Sequence, residues 1–377
     1  MRITDLAREK QENRTRISAK VEWEDCDEPE RDVFMETPDP YGESMALNPE
    51  AFLVGCIIPA LHFGEKRIQM DHDICPDLLE GLETVMAVMK MWTEGGFRPL
   101  SLDVGTKRNR DVRKSRNRSA MVFSGGIDSI ATLQLNRRRY PETHPGYIRD
   151  CLFIHGFDIG GVRERGMKYH VFDRAMAAMK KITDHAGAEL IPVYTNIRHL
   201  CDERDLWLNR FFGAVLAASA HSFSGRFDRF SIASSYDLAN LGPCGSHPLL
   251  DPEYSSFDLA IRHRDVAWTR IDKIKLVSEW PVALLNMRVC LANVKDRLNC
   301  GKCEKCVRTM TGLVAAGALE KSEAFVENDV APDLFDAFKI TIRHREPFYE
   351  ELLPFLRERG RDDLVDVIEG KLAEKQA

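Results

Sequence analysis

Residues 119–129 read SAMVFSGGIDS, and the reading of the fold starts from that string. Ser119 to Phe123 is short and apolar, as a buried strand is, and helical periodicity begins at Ile127 and runs to about Arg138. Between them lies Ser124-Gly125-Gly126-Ile127-Asp128-Ser129. A loop that leaves a strand and enters a helix offers unpaired N–H groups and a partial positive charge, so it attracts phosphate. Gly125 and Gly126 let the backbone turn sharply and approach an anion, and Ser124 and Ser129 add hydroxyl donors. Asp128 cannot favour a bare phosphate; binding Mg²⁺ or positioning donors is the role that suits it.

Downstream, the strand and helix patterns alternate. Cys151–Ile154, Glu189–Tyr194 and Phe227–Ala233 read as strands, and Gly166–His185 and Asp205–His221 as helices. Such alternation predicts a doubly wound α/β domain over residues 119–310, a parallel sheet with helices on both faces. Ligands then belong at the carboxyl ends of the strands. Residues 1–105 read as a separate α+β domain. In it, Arg16–Glu24 is a strand, Phe52–Leu61 a buried strand and Asp77–Trp92 a helix, and His72 and Asp73 fall on an exposed loop. The short basic stretch Gly105 to Arg118 reads as a solvated linker, placed at 106–118, and residues 311–377 as a helical region.

A net charge of −6 argues against nucleic acid as the general partner. No apolar run reaches the roughly 18 residues of a membrane span, and the polar start lacks a signal-peptide core, so a cytoplasmic protein is expected. Six of the ten cysteines are scattered, several of them in apolar stretches that suit buried thiols. The other four form Cys290-x9-Cys300-x2-Cys303-x2-Cys306, the spacing of a four-thiolate metal site. Zn²⁺ in such a closed set is structural, with Gly301 relaxing the knuckle and Lys302, Lys305 and Arg308 offsetting thiolate charge. An iron–sulfur cluster or a sulfur-carrying CxxC dithiol is the alternative use of the same spacing.

SGGIDS resembles the SGGxDS signature of the PP-loop ATP pyrophosphatases, and CGKCEKCVR resembles the zinc knuckle of the 7-cyano-7-deazaguanine synthase family. The likeness covers roughly Ser119 to Met310, with about 115 residues before it and about 65 after it that the family lacks. It implies a PP-loop (HUP-like) fold, ATP, Mg²⁺ and Zn²⁺ as cofactors, and a loop that holds the pyrophosphate leaving group. It also implies adenylation of a carboxylate, 7-carboxy-7-deazaguanine or a related acid, followed by attack of a nitrogen nucleophile to give an amide or nitrile. In the family, adenine lies at the ends of the second and third strands. Here that points to His155-Gly156-Phe157-Asp158, where the family has aspartate–tyrosine–glycine, and to Thr195 and Arg198.

The candidate charges for stabilising the transferred groups are Arg198, Arg270, Lys273 and Lys275. Gly242–Ser256 (GPCGSHPLLDPEYSS) reads as a recognition loop or lid over the crevice, with Phe157, His247, Asp251 and Tyr254 as candidate substrate contacts and Cys244 as a candidate nucleophile. The expected partners are ATP, a small deazaguanine-like acid, and ammonia or a protein amine, with a homodimer as one expectation. The competing readings are conjugation of a deazaguanine acid to a protein amine in bacterial antiviral defence, tRNA thiolation, and a non-catalytic nucleotide-binding module.

Overall fold

The structure is a computed structural model that describes residues 1–107, 116–340 and 346–374. The middle of the basic stretch, 108–115, lies outside the described residues. In the first hundred residues come β1 (Arg2–Gln11), β2 (Arg14–Glu22), β3 (Arg31–Pro38), α1 (Pro49–His62), β4 (Arg67–Ile74), α2 (Pro76–Trp92) and β5 (Ser101–Thr106). Then follow β6 (Ser119–Val122), α3 (Ile127–Arg139), β7 (Ile148–His155), α4 (Tyr169–His185) and β8 (Glu189–Thr195). A composite helix comes next: α5 (Arg204–Leu206), a π turn (Trp207–Phe211) and α6 (Phe212–His221). The rest is β9 (Arg229–Ala233), β10 (Ala260–Arg264), α7 (Arg270–Ser278), α8 (Pro281–Asn286), α9 (Glu304–Ala315), α10 (Glu346–Glu350), α11 (Leu353–Glu358) and α12 (Asp362–Ala373).

The fold is α/β. All ten strands join one sheet, in the order β10-β9-β6-β7-β8-β3-β2-β1-β4-β5. From β10 to β8 every pairing is parallel; antiparallel pairing is confined to β8-β3-β2-β1. Alternation along the strands divides the core. On β7, Leu152 and Ile154 join the core built with α1, α2 and α6, whereas Cys151 and Phe153 join the core built with α3, α4, α7 and α9. Helices therefore cover both faces. The parallel part starts at β6, runs outward through β7 and β8, and then returns to place β9 on the other side of β6. The order thus reverses at β6, and a ligand crevice opens at such a switch point.

Two expectations need correction. Phe52–Leu61 is not a strand; it is the body of α1, buried from Ala51 to Leu61. A helix buried on every side has no polar stripe, so its pattern matches that of a buried strand. The helix start was readable: Asn48 accepts from Glu50 N at 3.1 Å and Pro49 occupies the first turn. His72 and Asp73 are exposed as expected, but they lie on β4, at an irregularity in its pairing with β5.

The strands of residues 1–105 enter the sheet through β3, where Met35 faces Thr195 and Glu36 faces Tyr194. Side chains reinforce this short contact. Thr195 Oγ1 donates to Phe34 O at 2.7 Å, Thr37 Oγ1 to Pro192 O at 2.8 Å, and Asn196 accepts from Phe34 N at 2.9 Å while donating to Asp32 O at 2.8 Å.

Candidate functional site

The loop after β6 turns on Gly125, whose φ of +75° favours glycine and whose added Cβ would sit 1.8 Å from Met179 Sδ. Gly126 caps α3 with no side-chain hydrogen bond, so the first N–H groups of this 13-residue helix remain for an outside acceptor. Ser129 Oγ donates to Gly126 O at 3.0 Å and lies 3.4 Å from Ser124 Oγ. Both hydroxyls and Asp128 line the cavity beyond.

Cations converge on that loop from two directions. One turn apart on α7, Arg270 Nη1 donates to Asp128 Oδ1 at 2.7 Å and Lys273 Nζ lies 3.7 Å from the same oxygen. Lys273 is 1% exposed, also donates to Ser234 O, and burial pushes its pKa down. The second group is Arg288, Lys305 and Arg308, which sit beside the cysteines. Burial is the first cause lowering the pKa of both Arg288 and Lys305, and the Asp158 carboxylate is the first force opposing it. With Ser124, Asp128 and Asp158, the cations Arg270, Arg288, Lys305 and Arg308 frame a cavity of about 150 Å³. The same groups border a second, mostly apolar cavity of about 890 Å³, within the range of roughly 300–1,000 Å³ usual for small-molecule sites. A small anion suits the first and a planar apolar body the second. Isoleucine at 127 lines the small cavity and is otherwise core.

The large cavity is walled by Phe157, Trp207, Phe212, Tyr236 and Phe348, among others. Trp207 and Leu208 come from the π turn, a widened helical turn of the kind often found at functional sites. Leu208 O accepts from Gly245 N at 3.0 Å, and Gly245 O accepts from Gly213 N at 3.0 Å, so the turn docks the 242–256 loop against α6. From that loop, Pro243 and Cys244 reach the cavity. Burial raises the Cys244 thiol pKa, which opposes a nucleophilic role at neutral pH.

The four cysteine sulfurs lie within 4.8 Å of one another. The Sγ separations of Cys290–Cys303, Cys300–Cys306 and Cys303–Cys306 are 3.9, 3.8 and 3.5 Å. A tetrahedron with metal–sulfur bonds of about 2.3 Å has edges of about 3.8 Å, so the cluster can hold a metal such as zinc. Asn299 organises the knuckle, accepting from Val289 N and Cys290 N and donating to Met287 O and Ala324 O. Two links tie it to the rest of the site. Arg288 N donates to Gly125 O at 2.9 Å, and Asn293 bridges Arg288 Nη2 and Asp158 O, at 2.7 Å each.

Of the sequence-predicted residues, Ser124, Asp128, Ser129, Phe157, Asp158 and Arg270 line the large cavity. Others lie outside both cavity linings. Thr195 staples β3, and buried His155 contacts Met167 O and stacks on Tyr169. Arg198 donates to Phe157 O at 2.8 Å and lies over Trp207, so it shapes the wall from behind. Lys275 Nζ lies 3.5 Å from the Phe355 ring centroid, among the C-terminal helices. Asp251 is fully buried, accepting from Ser246 Oγ at 2.6 Å and facing His263 Nδ1 at 2.7 Å. His247 packs edge-on to Trp92 of α2, and Tyr254 is 0% exposed. Arg288, Ser235, Tyr236, Trp207 and Phe348 join the site with no motif in the sequence to mark them, and Lys305 and Arg308, expected only as counterweights to the thiolates, line it as well. No family model, curated protein or solved structure matches this chain.

Proposed function

We propose that this chain is an ATP pyrophosphatase of the PP-loop type that adenylates a planar aromatic carboxylate and passes it to nitrogen. One observation carries the reading: the small cation-lined cavity at the SGGIDS loop adjoins a large cavity with aromatic walls. The N–H groups at the start of α3 and the hydroxyls of Ser124 and Ser129 would hold the β and γ phosphates. Arg270, Arg288, Lys305 and Arg308 would meet the charge that grows on departing pyrophosphate. A Mg²⁺ ion would neutralise phosphate oxygens; Asp128 and Asp158 are the carboxylates at hand for it.

The substrate carboxylate oxygen attacks the α phosphorus, the bond from that phosphorus to the bridging oxygen breaks, and pyrophosphate leaves. Ammonia then attacks the acyl carbon, loses a proton, and expels AMP to leave an amide. The protein's work is positioning and charge stabilisation. A 7-deazaguanine acid suits the walls: Phe157, Trp207 and Tyr236 offer faces for stacking, and Asp158 can accept from ring N–H groups. The four-cysteine metal would be structural, because four thiolates leave no open coordination position.

The test incubates the chain with ATP, Mg²⁺, ammonia and 7-carboxy-7-deazaguanine and follows products by mass spectrometry. AMP, pyrophosphate and the amide or nitrile are expected. ADP with orthophosphate would overturn the reading. AMP and pyrophosphate formed with other acids but not with this one would remove the deazaguanine assignment alone.

A further inference from the structure

The C-terminal helices send one side chain into the site. Phe348 of α10 is 6% exposed, and its ring stacks on Tyr236 with centroids 5.1 Å apart and planes 11° apart. The guanidinium carbons of Arg270 and Arg308 lie 5.0 and 4.7 Å from the centroid of that same ring. Both arginines line the small cavity, one from α7 and one from α9. The segment carrying Phe348 is fastened to the same two helices: Tyr349 Oη donates to Glu304 Oε1 of α9 at 3.1 Å, and Glu351 Oε1 accepts from Ile271 N of α7 at 3.1 Å.

Two like charges brought to one cavity repel each other. Carboxylates anchor each from one side, Asp128 at 2.7 Å from Arg270 Nη1 and Glu304 at 2.9 Å from Arg308 Nε, and an aromatic ring adds attraction through its quadrupole without using up the remaining N–H donors. We propose that Phe348 is a positioning residue: its ring, backed by Tyr236, holds Arg270 and Arg308 over the small cavity. Docking of α10 is then a condition for tight binding of a diphosphate group. The binding half of this inference rests on the phosphate reading of the small cavity; the positioning half does not.

The experiment compares the full chain with Phe348→Leu and Phe348→Tyr. Leucine fills most of the volume but has no π face; tyrosine keeps the face. Calorimetry with inorganic pyrophosphate and Mg²⁺ should show affinity about tenfold weaker for Phe348→Leu and close to wild type for Phe348→Tyr. Crystal structures of the ligand-free proteins should show both guanidiniums displaced in Phe348→Leu and in place in Phe348→Tyr. Tyr236→Leu, which removes the backing ring, should weaken pyrophosphate in the same direction and serves if Phe348→Leu does not fold. Unchanged guanidinium positions in Phe348→Leu, or equal losses from leucine and tyrosine, overturn the proposal. Wild-type protein that ignores pyrophosphate while the guanidiniums still follow Phe348 would sink the phosphate reading and keep the positioning role.

Discussion

Two glycine-bearing loops flank the cavity, and they use their polar atoms in opposite ways. In Ser124–Ser129 the hydroxyls and the aspartate line the cavity, although Ser129 also bonds Gly126 O and Asp128 also bonds Arg270. In Gly242–Ser256 the comparable groups serve one another: Ser246, Asp251 and His263 close a buried network, and His247 leans on Trp92. A polar residue type therefore does not say whether its group faces a ligand or the fold. The supports of the first loop matter as much as the loop, since α7 and the cysteine knuckle deliver its cations and Arg288 N holds Gly125 O.

That contrast can be broken at its supports first. Cys303→Ser should lose the metal, expected at one ion per chain in wild type by elemental analysis, and cost on the order of several kcal/mol in a denaturant melt. Because the knuckle holds Gly125, nucleotide turnover should fall with it. Next, Asp128→Ala or Ser124→Ala should slow pyrophosphate release from ATP by roughly 100-fold or more. The second loop should answer differently. Asp251→Asn should cost roughly 2–3 kcal/mol by chemical denaturation, because an amide N–H₂ in place of one carboxylate oxygen takes an acceptor away from the buried Ser246, His247 N and His263 cluster. Its turnover per folded molecule should match wild type; a specific loss of turnover would erase the distinction between the loops.

Smaller effects sharpen the picture. Burial raises the Glu351 pKa from 4.5 to about 7, so the folded protein binds this proton more tightly than the unfolded chain. The stabilisation it brings is complete below about pH 4.5 and fades as pH rises to about 7, by roughly 1–2 kcal/mol after allowance for partial exposure. Glu351→Gln should flatten that slope in melts across this window. Tyr254→Phe should change stability by no more than about 0.5 kcal/mol, because the buried hydroxyl finds no hydrogen-bond partner among the described residues.

The sequence was most legible where placement depends on neighbours in the chain. The SGGIDS loop needs only a strand before it and a helix after it, and the knuckle needs only its spacing. It was least legible where partners are distant. Asp251 meets His263 across the turn into β10, and Thr195 spends its hydroxyl on Phe34, 161 residues earlier. Lys305 and Arg308 were readable as more than counterweights, since they stand three apart, on one face near the start of a helix capped by Cys303. Nothing local marks Phe348, whose partners Tyr236, Arg270 and Arg308 come from three separate segments.

The contact between β3 and β8 makes the first hundred residues a splint. Stripped of them, the end of β8 at Tyr194 and Thr195 would lose its paired neighbour, and the side chains of Thr195 and Asn196 would lose their partners. Such an unpaired edge recruits strands from other molecules. Shortening this protein to the segment that carries its two recognisable motifs should therefore yield a chain that clumps.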